Sequence, residues 1–218
     1  MAEIEAAFLF ADLCGYTALT EAMGDLDAAD VAARFYGLAR TSLVGDARMV
    51  KTIGDAVMVV ASEPSTAVSS VLWLVASMAK EPGMPQLRAG LHFGRAVERD
   101  GDYFGASVNL AARVAGHARG GQILCTDTIT SALRQGGLTA LRPLGTVSFK
   151  NVAEAVFLHE LTNAAELSVF RDLDPVCRMR VDPLRAAAQV EHEGFAYSFC
   201  SAACAQKFSQ APGSYVVK

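Results

Sequence analysis

The chain lacks a strong charge of either sign. Its 218 residues carry 19 Lys and Arg against 23 Asp and Glu, which gives a formal net charge of −4. The strongly basic balance that is typical of nucleic-acid-binding proteins is therefore missing. A charged fraction of 19% and an apolar fraction of 52% also differ from those of a disordered chain. The composition predicts a globular protein with no nucleic-acid partner.

Long apolar runs are missing as well. The longest extends roughly from residue 68 to residue 79 and is interrupted by serines, whereas a membrane-spanning helix needs about 20 apolar residues. The first apolar run ends at Asp12 and no basic segment precedes it, unlike a signal peptide. We therefore expect a soluble, cytoplasmic protein without a membrane segment.

The number of cysteines is odd. There are five, which does not suit a disulfide framework. Cys177, Cys200 and Cys204 lie close together near the C-terminal end, and this clustering indicates metal binding in a reducing compartment. Cys14 and Cys125 are interpreted as small buried apolar residues, with a redox switch as the alternative.

Hydrophobic periodicity predicts the order β-α-β-β-α-β, which is the ferredoxin-like, palm-like pattern of an antiparallel α+β domain. The helical segments include residues 27–43, with Asp27 as the N-cap, and residues 105–118. Short strands are expected over 47–53 and 56–61 on either side of a Gly54-Asp55 turn, and over 87–93 and 96–98. Residues 163–173 are expected to form a linker to a second, small α+β module.

This topology brings two distant carboxylates together. In a split βαβ sheet the third strand lies between the first two and is antiparallel to both. The end of the first strand, at Asp12, then adjoins the start of the third strand, at Asp55. Two close carboxylates repel each other unless a cation or a proton separates them. The pattern predicts a site for two divalent cations that handles phosphate.

Three polar motifs follow one another in otherwise apolar surroundings. They are Phe10-Ala11-Asp12-Leu13-Cys14-Gly15-Tyr16-Thr17, Lys51-Thr52-Ile53-Gly54-Asp55, and Gly90 to Gly94 together with Asp102 to Arg113. In this order they resemble the catalytic domain of class III nucleotidyl (adenylate or guanylate) cyclases, over roughly residues 5–162. The resemblance implies a catalytic domain at residues 1–163 that acts on ATP.

The resemblance assigns roles to individual residues. Asp12 and Asp55 correspond to ligands of two Mg²⁺ or Mn²⁺ ions, with the Leu13 carbonyl as an extra ligand. Lys51 and Asp102 correspond to the pair that reads adenine, because a lysine suits the acceptor N1 and a carboxylate suits the exocyclic amine. Guanylate cyclases of this family replace that pair.

The remaining roles concern ribose and phosphate. Asn109 and Arg113 correspond to the residues that orient the ribose and stabilise the transition-state phosphate, and their i, i+4 spacing places both on one helix face. Lys150 corresponds to a triphosphate-binding lysine, although the family more often has Gly where Asn151 stands. Family members divide these roles between two catalytic domains. Since this chain carries every role on one domain, the resemblance implies a homodimer with two equivalent sites.

The C-terminal segment, residues 172–218, resembles the YHS domain. The resemblance rests on Asp174-Pro175-Val176-Cys177, on the spacing of Cys177, Cys200 and Cys204, and on neighbouring aromatic residues. Three thiolates suit Zn²⁺ or another soft metal. Asp174 and His192 are candidates for a fourth ligand. A regulatory metal or redox sensor, a purely structural zinc site and three free thiols all remain open.

Together these patterns predict an adenylate cyclase whose output is modulated by a C-terminal metal-binding domain. Two alternatives remain. One is a metal-sensing or metal-binding protein that uses a weakly active cyclase-like domain as a dimerisation scaffold. The other is a guanylate cyclase, which Lys51 and Asp102 disfavour. His92 and His117 are expected to be structural.

Overall fold

The computed structural model describes residues 2–133, 140–162, 174–177, 179, 181, 185–192, 195–212 and 215. Its elements in chain order are β1 (Ala2–Leu13), α1 (Tyr16–Met23), α2 (Asp25–Thr41), β2 (Arg48–Ile53), β3 (Ala56–Ala61), α3 (Pro64–Met78), β4 (Leu87–Arg99), β5 (Asp102–Phe104), α4 (Ala106–His117), β6 (Ile123–Thr126), α5 (Asp127–Leu133), β7 (Ala140–Val147), β8 (Val156–Thr162), β9 (Ala188–His192), β10 (Phe195–Phe199) and α6 (Ala202–Gln210). This is the mixed α+β fold that the periodicity predicted.

Within the described residues, eight strands form one sheet in the order β2-β3-β1-β4-β6-β8-β7, with β5 paired to β4. β1 lies in the middle and is antiparallel to both β3 and β4, whereas β4 and β6 are parallel. Residues 6–11 of β1 are all buried. Helices cover both faces of this strand, which accounts for its nearly continuous apolar sequence.

Alternate side chains of β1 enter two different cores. Leu9 packs on one face with Phe35 of α2 and with residues of α3. Phe8 packs on the other face with Val108 and Ala111 of α4. Asp12 has the same parity as Phe8, so it lies on the α4 side of the sheet, just beyond the second core.

The predicted hairpin at Gly54-Asp55 is confirmed. β2 and β3 pair in antiparallel register, with Ile53 opposite Ala56, and Gly54 has a φ of 58°, a left-handed conformation that costs glycine little. β3 also pairs with β1 so that Asp12 lies opposite Ala56. The third strand therefore lies between the first two, as predicted.

Two local predictions were wrong, and one short strand was missed. Helix α2 begins at Asp25 after Gly24, so Asp27 is not the N-cap but lies in the first turn. There its negative charge interacts favourably with the positive end of the helix dipole. β4 is continuous over residues 87–99, because β1 pairs with it from Leu13↔Leu87 to Ala2↔Glu98. The short strand β5 was not predicted; it returns along β4 after a left-handed Asp100-Gly101 turn.

The C-terminal part contains a β9–β10 hairpin followed by α6, whose N-cap Ser201 accepts a hydrogen bond from the Cys204 amide. Its buried Phe199 and Phe208 belong to the same hydrophobic cluster as Met84 of the larger part. The predicted linker at 163–173, and with it the two predicted domain boundaries, lies outside the described residues. Among the helices that are described, none is long and apolar enough to span a bilayer.

Candidate active site and cysteine cluster

The two aspartates predicted to bind metal lie at adjoining strand ends. Asp55 immediately precedes Ala56, which pairs with Asp12, and the Leu13 amide donates to the Asp55 carbonyl over 3.4 Å. The Tyr36 hydroxyl of α2 donates to the neighbouring Gly54 carbonyl and so holds the turn. Partial burial, and then the charge of Asp12, raise the pKa of Asp55 to about 6. Mutual repulsion of this kind is what a bound cation relieves.

Arg88 completes this carboxylate site, and the sequence analysis missed it. It lies directly opposite Asp12 in the β1–β4 register, and its Nε donates to Asp12 Oδ2 over 2.7 Å. Burial alone would lower the pKa of Arg88, but the hydrogen bond and charge of Asp12 outweigh it and raise that pKa. A signal was available, because Arg88 directly precedes the apolar residues 89–91 of its strand, just as Asp12 directly follows the apolar residues 6–11 of β1.

The predicted base-reading pair is an ion pair. Lys51 Nζ lies 2.7 Å from Asp102 Oδ1 and 2.5 Å from Oδ2. Asp102 Oδ1 also accepts from the Tyr103 amide, and these two hydrogen bonds lower the pKa of Asp102. Both side chains are about one-third exposed. The structure therefore brings together a donor and an acceptor that a nucleobase can reach.

Asn109 and Arg113 lie on the outer face of α4. The buried residues of this helix are Val108, Ala111, Val114 and Ala115. At about 100° per residue, Asn109 and Arg113 point almost directly away from them. Asn109 is exposed and Arg113 half-buried. The two side chains therefore face away from the sheet that carries Asp12.

Lys150 is exposed in the turn between β7 and β8. Among the described residues, no hydrogen bond or ion pair joins it to another predicted site residue. The next residue, Asn151, has a φ of 63°, a left-handed conformation that Gly adopts freely and Asn tolerates better than most residues. This explains how Asn can stand where the resemblance led us to expect Gly.

The three C-terminal cysteines form one cluster. Cys177 Sγ lies 3.3 Å from Cys200 Sγ, which lies 3.8 Å from Cys204 Sγ. Hydrogen bonds among the thiols raise the pKa of Cys177 and lower that of Cys204. Possible ligand atoms of the three cysteines and Asp174 all lie within 4.8 Å of one another. Such a sulfur-rich donor set fits a soft cation.

Asp174 holds the two cysteine-bearing segments together. Its side chain is fully buried, and its Oδ1 accepts from the Val176 amide over 2.8 Å and from the Cys177 amide. Its Oδ2 accepts from the Cys200 amide over 2.9 Å. His192, the other candidate fourth ligand, packs edge-on against Phe208 and is not in the four-residue cluster found among the described residues.

The cysteine cluster adjoins the larger part of the chain. Met179 forms an antiparallel bridge with Pro85, and Lys207 of α6 pairs with Glu21 of α1 at 3.3 Å. A cleft of about 510 Å³ lies between the two parts, and Cys200 is among its lining residues. The thiol cluster therefore lies at an interface and not at a free end of the molecule.

The other two cysteines and His92 behave as structural groups. Cys14 and Cys125 are buried, and burial raises the pKa of Cys125 to about 12. His92 is hydrogen-bonded to Thr126 at 2.9 Å, and burial lowers its pKa to about 4. A thiol and an imidazole held in their neutral forms suit packing more than redox or acid–base chemistry.

Two family models match the chain. The model of the adenylate and guanylate cyclase catalytic domain matches residues 3–160, which is more than half of the sequence. The chain belongs to this cyclase family. The YHS domain model matches residues 173–218, so a YHS domain follows the cyclase domain, as the cysteine pattern had indicated.

Several curated relatives are named as adenylate cyclases. A pH-sensitive adenylate cyclase of Mycobacterium tuberculosis is 44% identical over 124 residues, a match that covers 57% of this chain and 31% of that protein. An adenylate cyclase of Glutamicibacter nicotianae is 41% identical over 123 residues, covering 56% of this chain and 30% of that protein. The chain thus spans about a third of the length of these two relatives.

Solved structures share the fold. The adenylyl cyclase CyaB of P. aeruginosa aligns with a TM-score of 0.66 and 20% identity, over 75% of this chain and 96% of that one. An adenylate cyclase of Trypanosoma brucei in its monomeric state aligns with a TM-score of 0.67 and 22% identity, over 82% of this chain and 93% of that one. Both confirm the cyclase fold of the larger part.

Proposed function

We propose that this chain is an adenylate cyclase that converts ATP into 3′,5′-cyclic AMP and pyrophosphate. The observation that carries the proposal is the pair Asp12 and Asp55 at adjoining strand ends, on the same domain as the Lys51–Asp102 pair. The named activities of the M. tuberculosis and G. nicotianae relatives support it. In the reaction the ribose 3′-oxygen loses its proton and attacks the α-phosphorus, and pyrophosphate leaves.

Asp12 and Asp55 fit Mg²⁺ or Mn²⁺, which prefer oxygen ligands, with the Leu13 carbonyl as a further ligand. Two such cations, when bound, lower the pKa of the 3′-hydroxyl and stabilise the phosphate charge. Arg88 donates to Asp12 and balances its charge. With a cation at Asp12, the Arg88 guanidinium would lie beside the site, where its donors suit the triphosphate.

Lys51 and Asp102 read the base. The Lys51 donor and the Asp102 acceptor lie side by side. When adenine binds, the ion pair between them is replaced by one hydrogen bond from Lys51 to N1 and one from the exocyclic amine to Asp102. Guanine presents the opposite pattern at these edges and leaves both groups mismatched, which is costly where water is excluded. This is the reason to prefer adenylate over guanylate cyclase activity.

A homodimer completes the site. Asn109 and Arg113 face away from the sheet that carries their own Asp12 and Asp55. We therefore assign them to the active site whose aspartates belong to the partner copy, where Asn109 orients the ribose and Arg113 stabilises the phosphate. Lys150 is assigned to the triphosphate. Each copy contributes one half of two equivalent sites.

The C-terminal domain is proposed to bind Zn²⁺ or another soft metal through Cys177, Cys200 and Cys204, and to modulate the cyclase. The thiol spacing and the contact between the two parts support this. We place the domain boundaries at residues 1–163 and 172–218, and we place the protein in the cytoplasm, where ATP is present and thiols stay reduced.

The thiol cluster also supports a second candidate, a metal-binding protein that uses the cyclase domain as a dimerisation scaffold. One assay separates the two. The purified chain is incubated with ATP or GTP and with Mn²⁺ or Mg²⁺, and the cyclic product is quantified. We expect cyclic AMP from ATP. Absence of cyclic AMP, or undiminished product from Asp55→Ala, would exclude the enzyme, and a predominance of cyclic GMP would make it a guanylate cyclase.

A further inference from the structure

Residues 85–88 contact both the cysteine-rich part and the catalytic strand β1. Pro85 bridges to Met179 on one side. On the other side, the Gln86 carbonyl accepts from the Cys14 amide over 2.8 Å. Two residues further on, Arg88 pairs with Asp12. One short segment thus joins the YHS domain to an aspartate of the proposed cation site.

Met179 is in turn tied to the cysteine cluster. Its carbonyl accepts from the Asp174 amide over 2.9 Å, and the Asp174 carboxylate binds the backbone amides of Cys177 and Cys200. The contacts therefore continue without a gap from the thiols, through Asp174 and Met179, to Pro85.

A second contact reaches the other flank of Asp12. Cys204 and Lys207 lie one turn apart on α6, and Lys207 pairs with Glu21 of α1, the helix that begins four residues after Asp12. The segment 85–88, which lies beside Asp12, thus contacts the segment that carries Cys177. Helix α1, which follows Asp12 in the chain, contacts the helix that carries Cys204.

Most of this path is buried, although Met179 and the neighbouring Gly83 also line the cleft between the two parts. Pro85, Gln86, Met179 and Cys177 are all buried. A Cβ added to Gly83 would lie 3.2 Å from Met179 Cε. Close-packed interiors transmit displacements, because a neighbour cannot absorb them in empty space.

We propose that loading the cysteine cluster with a soft cation strengthens divalent-cation binding at Asp12 and Asp55, and that residues 85–88 carry this coupling. The inference rests on the metal binding stated under the proposed function. A soft cation that ties the three thiols together fixes the position of Asp174 and, through the Asp174 amide, that of Met179, and the buried contacts pass this constraint to residues 85–88. Because coupling between binding sites is reciprocal, the divalent cation must strengthen soft-cation binding by the same factor.

The test uses the full chain and two cations that prefer different ligands. Cu(I), kept anaerobic, binds thiolates, and Mn²⁺ binds carboxylates. Mn²⁺ binding is followed by electron paramagnetic resonance with and without one equivalent of Cu(I). We expect the Mn²⁺ dissociation constant to fall about fivefold or more, and Cu(I) affinity to rise by the same factor at saturating Mn²⁺.

Substitutions along the proposed path test whether these residues carry the coupling between the two cation sites. Met179→Ala keeps the backbone contacts of residue 179 but removes the buried side chain that packs beside Gly83, so it is expected to keep one Cu(I) per chain and to reduce the coupling factor in part. Met78→Ala, which removes a buried methionine of α3 from the same core, is the matched control and should keep the full factor. The surface variant Glu21→Gln, which leaves the core intact, should reduce the factor in part.

The outcomes separate the two proposals. An unchanged Mn²⁺ dissociation constant in protein that holds Cu(I), or full coupling in both Met179→Ala and Glu21→Gln, overturns this inference. Failure of the chain to bind Cu(I) at all overturns both the inference and the proposed metal binding. Full coupling in a chain that forms no cyclic AMP supports the inference and contradicts the cyclase activity.

Discussion

At the scale of residues, the account depends on charged side chains placed among apolar neighbours. Asp12, Arg88 and Lys51 each lie on a strand whose other residues are largely apolar, and each has an oppositely charged partner within hydrogen-bonding distance. Such charges are rarely kept near a core without a partner or a bound ion. Each pairing places a donor beside an acceptor, and both groups can instead bind a nucleotide or a cation.

Asp55→Asn should abolish catalysis without unfolding the chain. The amide keeps the size of the side chain but removes the charge that binds the cation, so we expect cyclic AMP formation to fall by about 100-fold or more. Asp100→Asn is the matched control, because Asp100 is an exposed turn residue with a left-handed φ of 53° that Asn also tolerates. Equal activity of the two variants would remove Asp55 from the mechanism.

The raised pKa of Asp55 predicts a pH-dependent stability of the protein without divalent cations. A carboxyl with a folded pKa of about 6 binds its proton more tightly in the folded chain than in the unfolded chain. Its contribution to stability is therefore present at low pH and is lost as pH rises from about 4 to about 6. Relative to Asp55→Asn, the melting temperature should fall over this window and level off above it. A constant difference between the two proteins would contradict the pKa assignment.

Lys51 and Asp102 should set base selectivity more than rate. Truncating either to Ala leaves the other without its partner and removes one contact to adenine. We expect KM for ATP to rise about tenfold and the preference for ATP over GTP to shrink by a similar factor. Steady-state kinetics with both nucleotides measure this. Unchanged selectivity in both variants would mean that other residues read the base.

At the scale of elements, the position of α4 depends on the close approach of its backbone to Gly90 of β4. A side chain at Gly90 of β4 would lie 2.0 Å from the Ala115 backbone nitrogen, whereas one at Gly116 of the same helix would meet nothing within 4 Å. The helix can therefore lie directly on the strand, and this sets the outward direction of Asn109 and Arg113.

Substitutions at these two glycines should have opposite effects. Gly90→Ala forces strand and helix apart and is expected to reduce the free energy of unfolding by about 3 kcal/mol. Gly116→Ala introduces a good helix former at a position with free space and should raise the free energy of unfolding by about 1 kcal/mol at most. Chemical denaturation of both variants measures the difference. Similar stabilities would contradict the packing of α4 against β4.

Much of the site could be predicted from these elements, and the reasons differ from residue to residue. The proximity of Asp12 and Asp55 followed from the hairpin and the split βαβ order alone. The pairing of Asp12 with Arg88 could not be predicted in this way, because the register that places Arg88 opposite Asp12 depends on strand pairing along the full length of β4. The length of β4 was underestimated for the same reason, since Gly94 and Arg95 interrupt the local apolar pattern while tertiary pairing continues through them.

At the scale of the whole molecule, the contact between the two parts was beyond prediction. Nothing in the local sequence around Pro85 or Met179 distinguishes an interdomain bridge from an ordinary loop. The bridge arises because two separately formed surfaces are complementary, and short-range patterns do not encode that. The proposed division of the active site between two copies came only from the resemblance, and the outward face of Asn109 and Arg113 supports that proposal on physical grounds.

The most direct test of the central proposal is a complementation assay. Asp55→Ala and Arg113→Ala are each purified, shown to be inactive, and mixed in equal amounts under conditions where subunits exchange. A mixed dimer has one intact site and one site that lacks both residues, so random pairing predicts recovery of about a quarter of the wild-type cyclic AMP rate. A mixture no more active than either variant alone, beside an active wild-type protein, would contradict two half-sites shared between copies.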